Sequence, residues 1–524
     1  MNITLRRLIY LSIIILFLIT APLLILASSG FRYDFKKHEI VKTGSLILET
    51  YPKAASVYID NQPRQNLFSG SAWRTLFRII AATQSQEQKN IQKTPLIINN
   101  LIPNEYLIKL TKPDYHPWVK RLTITSNEAT FADQVLLFRL QPEIQALTQG
   151  NISQVQIAPD QQKTALLLNN TLKLLDIKTE QTTTLFETHD SIIDIKWNNT
   201  SQKILITEQK PEYKNYIIIN AETGENTSVN SFQNYTPLDN LKWDHQNPNL
   251  IYGARKNTTY QINLFTKKIK PFLQIKTQSL DDFLIAKDWN IFYLKKWQEN
   301  WCLNYVGLTT DGSSLRIEAI SKTCLLELPL GSSQNQGTLY SLSKIDDELL
   351  LVQSPARADD FPGRGSSALA GDFFQRGHEQ KIWLINTKTK EVILNETKAK
   401  DVLYLPASQT LIYYNDFEIW QTDLKNYDSN GKPLQDTRYI LSRFSSEIKK
   451  IISTKEQNYL LLSLKNAGKD IIYALELDSR NRRNIVNLLE VKKIYNLFPN
   501  KDKNFIYLHA EIGDKNGIYK ITIH

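Results

Sequence analysis

The chain has 524 residues, more than one hydrophobic core accommodates, so two or more domains are expected. A hydrophobic fraction of 42% takes it out of the disordered class. Its formal net charge of +10 comes without a basic stripe or a nucleic-acid module, which excludes nucleic acid as the expected partner and leaves an anionic lipid headgroup or envelope polymer.

Residues 8–27, LIYLSIIILFLITAPLLILA, carry no charge. About 20 such residues cross a bilayer core of about 30 Å as a helix. A transmembrane signal-anchor over 1–30 is the reading. A cleaved signal peptide is the rival, since Ala27, Ser28 and Ser29 are small, but its apolar region would run only about 7–15 residues. Arg6 and Arg7 precede the span, and Arg32, Lys36, Lys37 and Lys42 follow it. That count does not favour a cytoplasmic N-terminus. Large following domains translocate largely regardless of charge, so the bulk of the chain is expected outside the cytoplasmic membrane.

Residues 31–43 form a charged juxtamembrane stalk. SLILETYP then alternates with period two and ends at Pro52, as a strand does. ASVYID is a second strand, and Asp60-Asn61 a tight turn. Strand and turn signals continue through LIINN, Pro103-Asn104, EYLIKL, the turn at 112–115, VKRLTIT and FADQVLLFRL. The pattern predicts a small β-sandwich over 44–140. Within it, 62–93 is an insertion. Trp73, Leu76, Phe77 and Ile80 recur there at helical spacing opposite Arg74 and Arg78. Such a helix either packs on its own domain or lies on a membrane surface.

This stretch resembles a PEGA domain of bacterial surface-type proteins. The matching positions are Pro52, Ala55, Val57, Tyr58, Ile59, Asp60, Thr94, Pro95, Pro103, Tyr106 and Tyr115. The signature Glu and Gly are replaced by Lys53 and Ala54, and the turn glycines by Asn61, Asn104 and Asp114. Asn and Asp tolerate left-handed backbone; Ala54 does so less readily. The resemblance implies an envelope or cell-surface role, with the domain as a spacer.

From about residue 141 to 524 the chain repeats at roughly 40–50 residues, the range of propeller blades. Each unit reads as four strands. APDQQKTALLL and KWNNTSQKILI are similar to the turns of TolB-like and WD-repeat β-propellers, without their Asp-Gly end. Seven or eight blades are expected, the last lacking its outermost strand, with 133–140 filling that place. The fold class is all-β: transmembrane helix, sandwich, propeller.

Two segments are candidate ligand contacts. Residues 354–380 break the repeat and bring Arg357, Phe361, Arg364, Phe373, Phe374 and Arg376 together, either as a docking loop or as a mobile excursion. Trp297 and Trp301 flank a turn and either stack on a sugar or peptide or pack between blades. Cys302 and Cys324 are the two cysteines. They pair across neighbouring strands in an oxidising compartment or stand as two buried thiols.

No nucleophile elbow, phosphate loop, dinucleotide fingerprint, calcium loop or zinc spacing is present. No catalytic residue, metal or cofactor is expected. The reading is a membrane-anchored envelope protein, partnered by the bilayer, whose propeller is a non-catalytic platform for a protein or cell-wall glycan. The alternatives are a propeller hydrolase or lyase acting on envelope polysaccharide, and a cytoplasm-facing scaffold.

Overall fold

The alternation in GSLILETY becomes a strand in which every second side chain is buried, Gly44–Tyr51. It belongs to a computed structural model that describes residues 3–34, 37–64, 91–274, 280–285, 291–297, 300–306, 324–328, 341–346, 349–353, 380–424, 438–498 and 504–524. The chain begins with helix α1, Ile3–Ser28. Eleven large apolar side chains between Tyr10 and Ile25 stay 49–68% exposed. Among the described residues no helix is long and apolar enough to cross a membrane. A hairpin follows, β1 (Phe31–Asp34) against β2 (Glu39–Lys42).

The sandwich is built from β3 (Gly44–Tyr51), β4 (Ser56–Ile59), β5 (Gln62–Pro63), β6 (Leu96–Leu101), β7 (Asn104–Thr111), β8 (Trp118–Ile124) and β9 (Ala129–Leu136). One sheet runs β6-β3-β9, the other β5-β4-β7-β8. Leu46 and Leu48 from the first sheet meet Val57, Ile108, Leu110, Trp118 and Leu122 from the second. Each fully buried side chain of this kind contributes about 1.5–3 kcal/mol. Asp60, Asn61 and Asp114 are left-handed, as their turns require, and so is Ala54, at φ 69°. Asn104, by contrast, opens β7. The ends of the insertion 62–93 belong to the sandwich, Gln62–Pro63 pairing with β4 and Lys93 with Ser56, while Trp73, Leu76, Phe77 and Ile80 lie outside the described residues.

Eight four-stranded antiparallel sheets follow. Blades one to seven span 152–187, 191–228, 239–274, 280–328, 341–399, 401–443 and 447–491. Blade eight takes its first three strands from Lys493–Phe498, Phe505–Ile512 and Lys515–Thr522, and its fourth from β10, Glu143–Gln149. Eight clusters of buried side chains each join two neighbouring blades, and the eighth joins blade eight to blade one through Phe498, Tyr507, Ile518, Ile152 and Leu175. The ring is therefore closed, with eight blades.

The closing strand is β10, not 133–140. Residues 129–136 already pair with β3 in the sandwich. Val135 and Leu137 are buried in its core, while Leu136 and Phe138 pack under blades seven and eight. That stretch is committed to β3 and to the packing beneath blades seven and eight, whereas the seven residues of β10 pair with the last strand.

The innermost strands share a device that strict alternation does not show. A bulge inserts one residue after Ile152, Ile192, Ile448 and Ile494. Two residues then oppose one, so apolar positions three apart face the same core. Ile192 and Ile195 are buried together this way, as are Ile448 with Ile451 and Ile494 with Leu497.

The turns repeat as well. In the turn between third and fourth strands of four blades an Asp or Asn carboxyl or amide oxygen accepts two amides just ahead: Asp176 from Lys178 and Thr179, Asn220 from Glu222 and Thr223, Asn263 from Phe265 and Thr266, Asn386 from Lys388 and Thr389. The next residue, Glu180, Gly224, Lys267 or Lys390, is left-handed. The side chain mimics a backbone turn, which is why Asp and Asn end these strands.

Candidate functional site

Strand direction gives the propeller two faces. On the near face lie the turns between first and second strands and between third and fourth. On the far face lie the turns between second and third strands and the connections between blades. The sandwich occupies the near face under blades seven and eight. Trp118 Nε1 donates to Glu476 Oε1 at 2.9 Å. Lys120, whose side chain is fully buried, lies 3.0 Å from Glu476 and 3.1 Å from Asp478. Arg480 pairs with Asp478 at 2.8 Å and donates to Phe131 O at 2.8 Å. Tyr51 donates to Asn504. His524 Nδ1 lies 2.7 Å from Leu137 O, and Arg139 Nε donates to His524 O at 3.2 Å. The carboxyl of Asp478 is held at about 2: burial pushes it up, and the bonds from Arg480 and Lys120 outweigh that.

With the near face taken at blades seven and eight, the far face and its channel mouth are the candidate site. Along the channel, polar side chains of the innermost strands reach to neighbouring strands and blades, from Asp282, Asp401, Glu447 and Lys449 toward the far face to Lys196 and Lys242 toward the near one. Gln154 Nε2 donates to Ile193 O at 3.2 Å, and Lys196 Nζ to Leu241 O at 3.3 Å. Lys242 pairs with Asp282 at 2.5 Å, and Asp282 accepts the Leu342 amide at 2.9 Å. Lys400 pairs with Asp416 and, at 3.0 Å, with Glu447. Lys450 pairs with Asp401 at 2.8 Å. Lys449 pairs with Asp470 at 2.6 Å and donates to Ile494 O at 2.6 Å. Burial pushes the Glu447 carboxyl up, but its bond with Lys400 and the charges of Lys400, Lys465 and Lys449 hold it below the usual carboxylate range. These carboxylates work as neutralised latches between blades.

The rim is made of hairpin tips. Tyr213, in the tip between second and third strands of blade two, is 54% exposed, and Phe417, in the matching tip of blade six, 49%. Neither was expected. The signal was an aromatic inside a polar turn, in KPEYKN and YNDFE, where no core awaits it.

Trp301 was a candidate contact and is instead buried in the cluster between blades four and five, with Phe292, Leu350 and Trp383. It is spent on packing. The backbone of Trp297 closes a strand at the far face, opposite Asn300, while its side chain lies outside the described residues. Arg357, Phe361, Arg364, Phe373, Phe374 and Arg376 also lie outside them. The flanking strands, Leu349–Gln353 and Gln380–Asn386, meet the far face at Gln353 and Gln380. Cys302 and Cys324 are joined as a disulfide, with Cα atoms 5.6 Å apart. Among the described residues no cluster of His, Cys, Asp and Glu could hold a metal ion.

No protein-family model matches the chain, and no curated protein matches it. Similar solved structures include one described as a eukaryotic initiation factor, 11% identical, covering 78% of this chain and 96% of that one, with a TM-score of 0.46. The Dos1 propeller is 14% identical over 73% of this chain and 94% of its own, with a TM-score of 0.44. The Myceliophteria thermophila Cps50 (Swd1) β-propeller domain is 10% identical over 73% and 100%, with a TM-score of 0.39. At these scores the likeness carries no functional argument, and the propeller rests on the strand pairing and closed ring described above.

Proposed function

We propose that this chain is a membrane-anchored envelope protein whose propeller serves, outside the cytoplasmic membrane, as a non-catalytic platform for a protein or cell-wall glycan. The observation that carries the reading is the placement of the sandwich. At one end Asn127 and Ser126 bond to Thr43 and Lys42, and Thr43 to Gly30 beside the end of α1. At the other end Tyr51 and Trp118 hold the near face of the propeller. The eight residues of β3 run between the two, a strut of about 26 Å. The far face is thereby turned away from α1. The uncharged stretch 8–27 supplies the anchor, and the sandwich is the PEGA-like spacer, with left-handed backbone at Ala54, Asn61 and Asp114 where that family places Gly. The disulfide fits an oxidising compartment. A tethered face works at high local concentration, so weak contacts suffice.

The test has two arms. Asp514, at a far-face tip, has a 98% exposed side chain. Asp514→Cys should react with a membrane-impermeant thiol reagent in intact cells; reaction only after lysis would place the propeller in the cytoplasm. Photo-cross-linkers at Tyr213 and Phe417 should capture the same partner. One at Phe265, 88% exposed on a near-face turn, should not. Equal capture at all three would remove the far face as the site.

A further inference from the structure

We infer that the hairpin of β1 and β2 is a second lipid contact, lying in the headgroup layer and selective for anionic lipid. The inference rests on the membrane-anchored reading above and goes beyond it, since α1 alone would anchor the chain without regard to headgroup charge.

The geometry begins at the helix end. The amide of Thr43 donates to Gly30 O at 2.9 Å and its hydroxyl donates to the same oxygen at 2.7 Å. The hairpin therefore leaves the helix and returns to it within residues 30–43, before β3 starts. If 8–27 fills the bilayer core, Gly30 lies at its surface and the hairpin has the headgroup layer as its surroundings. Its composition suits that layer. Tyr33 and Ile40 are directly paired across the hairpin and are 44% and 57% exposed. They form an apolar patch with one aromatic phenol, the side-chain type enriched at membrane interfaces. Arg32, Lys36, Lys37 and Lys42 carry four positive charges in this segment against Asp34 and Glu39. Asp34 is buried and turned inward to the Lys37 amide, 3.4 Å away. Lys37 and Lys42 are exposed. An apolar pair flanked by cations, continuous with an apolar helix, matches an anionic bilayer surface in both polarity and charge.

The full chain lends itself to a thiol experiment, because both of its cysteines are in the disulfide. Leu16→Cys, Ile40→Cys and Asp514→Cys would each carry one environment-sensitive fluorophore. Each variant would be reconstituted in bilayer discs of zwitterionic lipid, with or without phosphatidylglycerol. Spin-labelled lipid, tagged at the headgroup or mid-chain, is the quencher. The label at Ile40 should be quenched several-fold more by the headgroup tag than the label at Asp514. Its quenching should rise further with phosphatidylglycerol, and Lys37→Glu with Lys42→Glu should abolish that rise. Mid-chain quenching at Leu16 with Ile40 no different from Asp514 would overturn the inference and leave the anchor standing. No quenching at Leu16 either would bring down the anchored reading with it.

Discussion

Ala54 is a non-glycine residue in left-handed backbone, at φ 69°, with its amide bonded to Thr94 O at 2.9 Å. A Cβ in that region costs about 1–2 kcal/mol, and glycine returns about 0.5–1 kcal/mol of this as extra freedom in the unfolded chain. Ala54→Gly is therefore expected to stabilise the sandwich by about 0.5–1 kcal/mol. Hydrogen exchange of the Val57 amide, which bonds to Gln92 O, should slow accordingly; unchanged or faster exchange would mean the left-handed turn is not adopted. The turn pair Asp60-Asn61 was legible from residue type alone, because Asx side chains and left-handed backbone go together. Ala54 was not. Its conformation is imposed by the neighbouring strands, and only the resemblance to a glycine position hinted at it.

At the scale of elements, the seam between β8 and blade seven buries a lysine against two carboxylates. Removing Lys120 would leave the buried Glu476 without its cation and Asp478 with Arg480 alone. Breaking a buried pair in this way costs about 3–5 kcal/mol. Lys120→Met should therefore undock the sandwich while both cores survive, seen as lost exchange protection in Trp118–Ile124 with blade two unchanged. Retained protection would show that apolar packing at Leu136 and Phe138 carries the seam alone. Acid tests the same seam. An unfolded Asp titrates near 3.9, and Asp478 in the folded chain at about 2. Its contribution is thus present in full above about pH 4 and is lost as pH falls through about 2. Protection of β8 should fall in that window before that of blade two. The sequence marked β8 as a strand, yet nothing in it set Lys120 apart from any other lysine. A lysine shows its burial only when its carboxylates, more than 350 residues away, are in place.

For the molecule as a whole, everything depends on the pairing of β10 with the last strand. Gly517 faces Gln149 there, and a Cβ on it would sit 2.4 Å from Thr148 O. Gly517→Val should open the closure, at a cost of at least about 1–3 kcal/mol from overpacking. Gly513→Asn, at φ 63° with nothing within 4 Å, should cost little. Limited proteolysis should cut the first variant near β10 well before the second. Equal resistance would mean that the ring is held by its inter-blade cores and not by this strand. That strand is also where sequence reading missed. EIQALTQ is mostly exposed and weakly patterned, whereas ADQVLLF is strongly apolar. The apolar stretch drew attention as a closing strand, but its apolarity serves the sandwich core and the seam beneath blades seven and eight.

Local chemistry settled the strands, the Asx turns, the repeat length and the helix at the start, since each depends on residues close together in the chain. Trp301 illustrates the limit: an aromatic near a turn reads the same whether it meets a ligand or the next blade. Only the closed ring decided that it is core, that the ring has eight blades, and that the sandwich sits on one face at blades seven and eight and leaves the other. Those outcomes are set by contacts between residues tens to hundreds of positions apart, and burial, unlike hydrogen bonding within a turn, is a property of the assembled surfaces and of no single stretch.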